Sequence, residues 1–108
     1  MQEKSEDRIV PVELVREMGC TEADFQRWLP GATKQAPIDT VRQDDGDLYI
    51  VHADAGAVEI MTSRRAPRRI AGITLPVLHV RFRFIGMDAL QRQTFLTYFD
   101  HYTRRGGG

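Results

Sequence analysis

The sequence predicts an α+β fold: an N-terminal helical hairpin, a three-stranded, mainly antiparallel sheet, and a C-terminal helix packed on one sheet face, a two-layer sandwich. Three observations lead there. Leu78, Val80, Phe82 and Phe84 alternate with His79, Arg81, Arg83 and Ile85, the period of a strand with one buried face. Phe95, Tyr98, Phe99 and Tyr102 recur at helical spacing. Asp54-Ala55-Gly56 supplies turn chemistry between two runs rich in apolar and β-branched residues.

Residues 1–8 are polar and aperiodic and read as a frayed end. In the next segment Pro11 suits a first helical turn and Gly19 a helix end, which predicts a short helix over 11–18. Thr21 and Asp24 have the spacing of a capping box, and Phe25, Trp28 and Leu29 continue a second helix that Pro30 and Gly31 stop. The polar stretch 32–47, with Pro37 and Asp44-Asp45-Gly46, reads as a long acidic loop. Residues 48–53 and 57–63 form the hairpin. A two-residue loop sets His52 against Glu59, whereas a three-residue loop sets Ile50 against Ile60. The third strand follows, and Asp88 serves as N-cap for a helix over 89–103 whose aromatic stripe covers the sheet.

A chain of 108 residues, 42% hydrophobic, fits one domain, 1–108, with an ordinary core. Cys20 is the only cysteine, so there is neither an internal disulfide nor a thiol pair for zinc. The charged first ten residues do not resemble a signal peptide, and no stretch has the length of a membrane span. These features favour a reducing, cytoplasmic compartment and no membrane partner.

The zero net charge conceals an asymmetry. Residues 1–47 carry 6 Lys/Arg against 11 Asp/Glu, and residues 48–108 carry 9 against 4. Two readings follow: the halves neutralise each other on packing, or the basic half meets an anionic partner. The densest basic cluster is Arg64, Arg65, Arg68 and Arg69 in SRRAPRRIAG, with Arg81 and Arg83 on the adjoining polar strand face. Guanidinium forks suit phosphate or carboxylate, so these six residues form the candidate anion site, for a small anionic molecule or an acidic protein.

Nucleic acid is a weaker partner, because the sheet lacks the stacking aromatics of an RNA-binding surface. The spacing of a helix-turn-helix in LVREMGCTEADFQRWL is opposed by Glu22 and Asp24 at the start of its second helix. His52, Glu59 and His79 are secondary candidates for a small enzyme pocket bordered by Arg81, and no metal-ligand spacing connects the histidines. Cys20, before the second helix, is a candidate activated thiol or a small apolar contact. No nucleotide-binding glycine loop or nucleophile elbow is present, and no cofactor is implied. The terminal Arg104-Arg105-Gly106-Gly107-Gly108 resembles the di-glycine tails of ubiquitin-like sulfur carriers; the helical period before it reads instead as a capped helix end. The expected function is a non-catalytic binding or accessory module, with a homodimer built on the uncovered sheet face or its edge strands as an alternative.

Overall fold

The computed structural model describes residues 9–104. The expectations for the two chain ends, 1–8 and 105–108, lie outside the described residues. In chain order the elements are β1 (Glu13–Met18), α1 (Glu22–Ala32), β2 (Ile38–Arg42), β3 (Asp47–His52), β4 (Ala57–Ile70), β5 (Ile73–Ile85) and α2 (Ala89–Arg104). The strands form one sheet in the order β1-β5-β4-β3-β2, and every neighbouring pair is antiparallel.

The α+β class holds, but the helical hairpin and the three-stranded sheet do not. The segment expected to be the first helix is the edge strand β1, with Leu14, Arg16 and Met18 turned inward. Its period-2 signal is disguised because one inward residue is an arginine. Arg16 is admitted by an ion pair with Asp100 of α2 and by its position 5.5 Å above the Phe82 ring. The expected acidic loop contains the second edge strand, β2, which half-buries Ile38 and exposes the rest, leaving little apolar pattern to read. Arg64 to Ile70, expected in a loop, continue β4. A register shift between Arg65 and Arg68 absorbs Ala66 and Pro67, so the proline, which has no N–H to donate, falls at the irregularity in the ladder.

The hairpin between β3 and β4 takes neither expected register. Val51 pairs with Val58, Ile50 with Glu59 and His52 with Ala57. Ala53 and Gly56 close the turn through mutual backbone hydrogen bonds of 2.9 and 3.3 Å. This places Asp47, Tyr49 and Val51 on the helix side, alongside Val58, Ile60 and Thr62 of β4.

Both helices cover that side. The capping box of α1 is formed, with the Asp24 N–H donating to Thr21 Oγ1 at 3.0 Å and the Thr21 N–H to Asp24 Oδ2 at 3.3 Å. The helix runs through Pro30 to Ala32 instead of stopping at the proline. Asp88 caps α2 as expected, through reciprocal bonds of 2.8 and 2.9 Å with Gln91. Of the predicted stripe, Phe99 is fully buried, Phe95 and Tyr102 pack partly, and Tyr98 is 37% exposed. Phe99 meets Phe82 edge-on at 5.2 Å and Phe25 at 6.1 Å, so one ring joins both helices to the sheet.

Candidate functional site

The uncovered face of the sheet carries Arg81 and Arg83, and Glu13 of the edge strand β1 and Glu59 of β4 balance them. Across β1, β5 and β4, Glu13, Arg83 and Glu59 lie opposite one another in register. Arg81 Nη2 is 2.9 Å from Glu13 Oε2, while Arg83 Nε and Nη1 lie 3.8 and 3.6 Å from Glu13 and Glu59 carboxylate oxygens. These pairs are solvent-exposed and each contributes at most about 1 kcal/mol. Their consequence is electrostatic: this part of the face is charge-balanced rather than basic. The acidic N-terminal half and the basic C-terminal half thus meet by strand pairing, a packing that required β1 to be a strand.

The other four arginines occupy a different setting. The β3 pairing of β4 stops at Met61 and the β1 pairing of β5 stops at Leu78. Beyond these points β4 and β5 continue as a two-stranded ribbon, without a third strand, to the tip at Ile70 and Ile73. The tip residues Ala71 and Gly72 have φ of 50° and 84°, the pair of left-handed conformations that a tight hairpin turn needs. Ile70 faces Ile73, and Arg68 faces Leu75. Ile70, Ile73 and Leu75 are 52, 60 and 42% exposed.

Two arm arginines have acidic neighbours. Arg68 Nη2 is 3.0 Å from Glu17 Oε1, and at the root of the arm Arg64 Nη1 is 4.0 Å from Glu22 Oε1. Arg65 and Arg69 have no carboxylate partner among the described residues. The whole stretch 60–87 contains six arginines and no aspartate or glutamate.

The secondary candidates do not converge. His52 Nε2 lies 2.9 Å from Asp39 Oδ2 on β2, not beside Glu59. Glu59 is across from Arg83, and His79 is paired with Glu17 and Ser63. Counting along the sheet, His52 and His79 are six cross-strand rows apart, about 20 Å at the usual rise of a strand. No pocket gathers His52, Glu59, His79 and Arg81, so the expected enzyme site is not assembled. Among the described residues no group of three His, Cys, Asp or Glu side chains comes together to hold a metal ion, and no helix is long and apolar enough to cross a membrane.

Cys20 is 2% exposed, and burial, followed by the charges of Asp24 and Glu22, pushes its thiol up to about 11. It is the apolar contact rather than the activated nucleophile. In the folded protein the thiol keeps its proton from the ordinary value of 9.0 up to about 11, whereas the unfolded chain releases it, so this group's contribution to stability is lost as pH rises through that window. Alkylation of Cys20 by iodoacetamide at pH 8 is expected only after unfolding in denaturant; rapid labelling of the native protein counts against this assignment.

The sequence reading missed a buried polar network between α1 and the sheet. The Tyr49 hydroxyl donates to Glu22 Oε2 at 2.6 Å, and the Thr62 hydroxyl contacts Glu22 Oε1 and Oε2 at 2.8 and 2.9 Å. Gln26 donates to Asp47 Oδ2 at 2.9 Å, and the Asp47 N–H donates to Thr62 Oγ1 at 3.0 Å. Asp47 Oδ1 lies 3.3 Å from Arg42 Nε, within ion-pair distance but outside hydrogen-bond geometry. Burial first, then the bond to Glu22, raises the Tyr49 hydroxyl far above its usual pKa, so it acts as a permanent donor. The signal was the alternation Asp47-x-Tyr49-x-Val51, legible only once the hairpin register is known. The network anchors the first turn of α1 to β3 and β4 at the root of the ribbon.

These features define the class as a small antiparallel α+β domain with a projecting basic ribbon. No family model, no curated protein and no solved structure matches the chain.

Proposed function

We propose that the protein is a non-catalytic binding or accessory module whose β4–β5 arm holds an acidic protein partner. The observation that carries this reading is the juxtaposition, on one face of a projecting ribbon, of Arg65 with the exposed aliphatic residues Ile70, Ile73 and Leu75, with Arg69 on the other face of the same ribbon. Arginine beside solvent-exposed apolar surface is the composition of a protein-binding patch, in which the guanidinium selects carboxylate and the aliphatic groups contribute burial. A duplex partner is less well matched. The chain has no net charge to steer it toward a polyanion, and Glu17 and Glu22 stand beside the arm. The single, unpaired Cys20 suits a reducing, cytoplasmic setting.

The test is affinity capture from native lysate at low and moderate salt, with wild type compared with two variants. The quadruple change R64Q/R65Q/R68Q/R69Q is expected to weaken capture at least tenfold and to remove most of its salt dependence. The double change I70S/I73S is expected to weaken it without altering the salt dependence. Capture that nuclease abolishes would transfer the reading to nucleic acid. Capture unaffected by either variant sinks it, and recovery only of the protein itself, with a dimer in light scattering, replaces it with self-association.

A further inference from the structure

A second concave surface lies at the opposite end of β4 from the ribbon, between α2, the loop after α1 and the β3–β4 turn. It is a groove of about 510 Å³, within the size range of small-ligand sites. Its floor includes Met87, 8% exposed, and Ala32, 1% exposed. Along its α2 wall, Leu90 is 69% exposed, Tyr98 is 37% exposed and Phe95 is half-buried. Surface leucines are ordinary one at a time, but here the apolar side chains line a concavity together.

The rim is built at some conformational cost. Lys34 and Gln35, directly after the end of α1, have φ of 57° and 62°, two successive non-glycine residues in the left-handed region. Their N–H groups bond back to Gly31 and Pro30 carbonyls at 3.1 and 2.7 Å, which fixes this reversal of the chain. It holds the Lys34 ammonium over the Tyr98 ring, 4.7 Å from its centre, at the mouth of the groove. Lys34 is the only lysine or arginine among the lining residues, and Asp54 on the facing turn is the only carboxylate.

We infer that this groove binds a small amphipathic monocarboxylate, with its apolar body against Leu90, Phe95 and Met87 and its carboxylate on Lys34. The charge arrangement selects this occupant. One ammonium beside an aromatic ring matches one anionic group, and Asp54 on the far rim disfavours a second. An apolar tail satisfies the exposed α2 wall, which a purely polar anion leaves wet. The site shares no residue with the arm, so its success or failure is independent of the proposed function.

Decanoate and decyltrimethylammonium, below their micelle concentrations, and decanol, below its solubility limit, are the probes, titrated against the isotope-labelled protein and followed by amide chemical shifts. Decanoate is expected to saturate with shifts confined to residues 32–37, 52–55 and 87–98, and to bind at least tenfold more tightly than decyltrimethylammonium. Lys34→Glu is expected to invert that preference. Leu90→Asp, at an exposed position that does not threaten folding, is expected to weaken decanoate binding at least tenfold, with an unchanged circular dichroism spectrum. Equal binding of the three probes, shifts scattered over the surface, or undiminished decanoate binding by Lys34→Glu would overturn the assignment.

Discussion

Replacing Phe99 with alanine is expected to cost about 3–5 kcal/mol of folding stability, the range for truncating a fully buried aromatic side chain. Phe99 has no exposed surface and contacts three rings: Phe82 at 5.2 Å and 89°, Phe25 at 6.1 Å, and Phe95 at 6.3 Å. Its loss removes transfer free energy, leaves a cavity that three rigid rings cannot readily fill, and forfeits one edge-to-face, one tilted and one stacked ring contact, each worth about 0.5–1.5 kcal/mol. A domain of this size commonly has only about 5–15 kcal/mol in total, so the midpoint of thermal unfolding should fall by about 15 °C or more. Urea and thermal unfolding followed by circular dichroism check this. A loss below about 1 kcal/mol would mean that the aromatic cluster is not what couples α2 and α1 to the sheet.

Gly46→Ala should be nearly as damaging, for a steric reason. A Cβ on Gly46 would lie 1.8 Å from the Thr62 carbonyl oxygen, 2.5 Å from its carbonyl carbon and 3.1 Å from Ser63 Cα, all of them backbone atoms of β4. No rotamer change relieves such a contact, so β4 must move away from the entry to β3. The movement would strain the bond from the Asp47 N–H to Thr62 Oγ1 and, through Thr62, the contacts with Glu22. Alanine lowers the entropy of the unfolded chain, a gain of at most about 1 kcal/mol. The clash outweighs it, and the expected net loss is about 2–3 kcal/mol. Gly19→Ala, where an added Cβ meets nothing within 4 Å, is the control and should stay within about 0.5 kcal/mol of wild type. Similar losses at both positions would show that glycine flexibility, not close approach, governs Gly46.

The elements that were legible in the sequence carry their signal locally. The inward residues of β5 alternate without interruption from Leu78 to Phe84, and the caps of α1 and α2 depend on side chains three residues apart. The two edge strands were not legible, because an edge strand buries little. Pro11 and Gly19 imitate the two ends of a helix around what is a strand, and β2 half-buries only Ile38. Nor was the ribbon, since a run of arginines around Pro67 has loop composition; only pairing with residues 73–77 keeps it extended.

The candidate site shows the same division. The six arginines were identifiable as a group, but not that Arg81 and Arg83 are balanced by Glu13 and Glu59 while Arg65 and Arg69 project on an arm. The groove could not be found by spacing, for its walls come from three segments brought together only by folding, and its cation is placed by two left-handed residues with no glycine to signal them.

By itself the sequence determined the α+β class, the position of both long helices, the buried face of β5 and the concentration of arginine between Arg64 and Arg83. The tertiary structure alone decided the number of strands, the hairpin register and which charges are neutralised. Periodicity and capping are local, within the reach of a few residues, whereas strand pairing and ion pairing join residues as distant as Glu13 and Arg83, whose encounter no local pattern records.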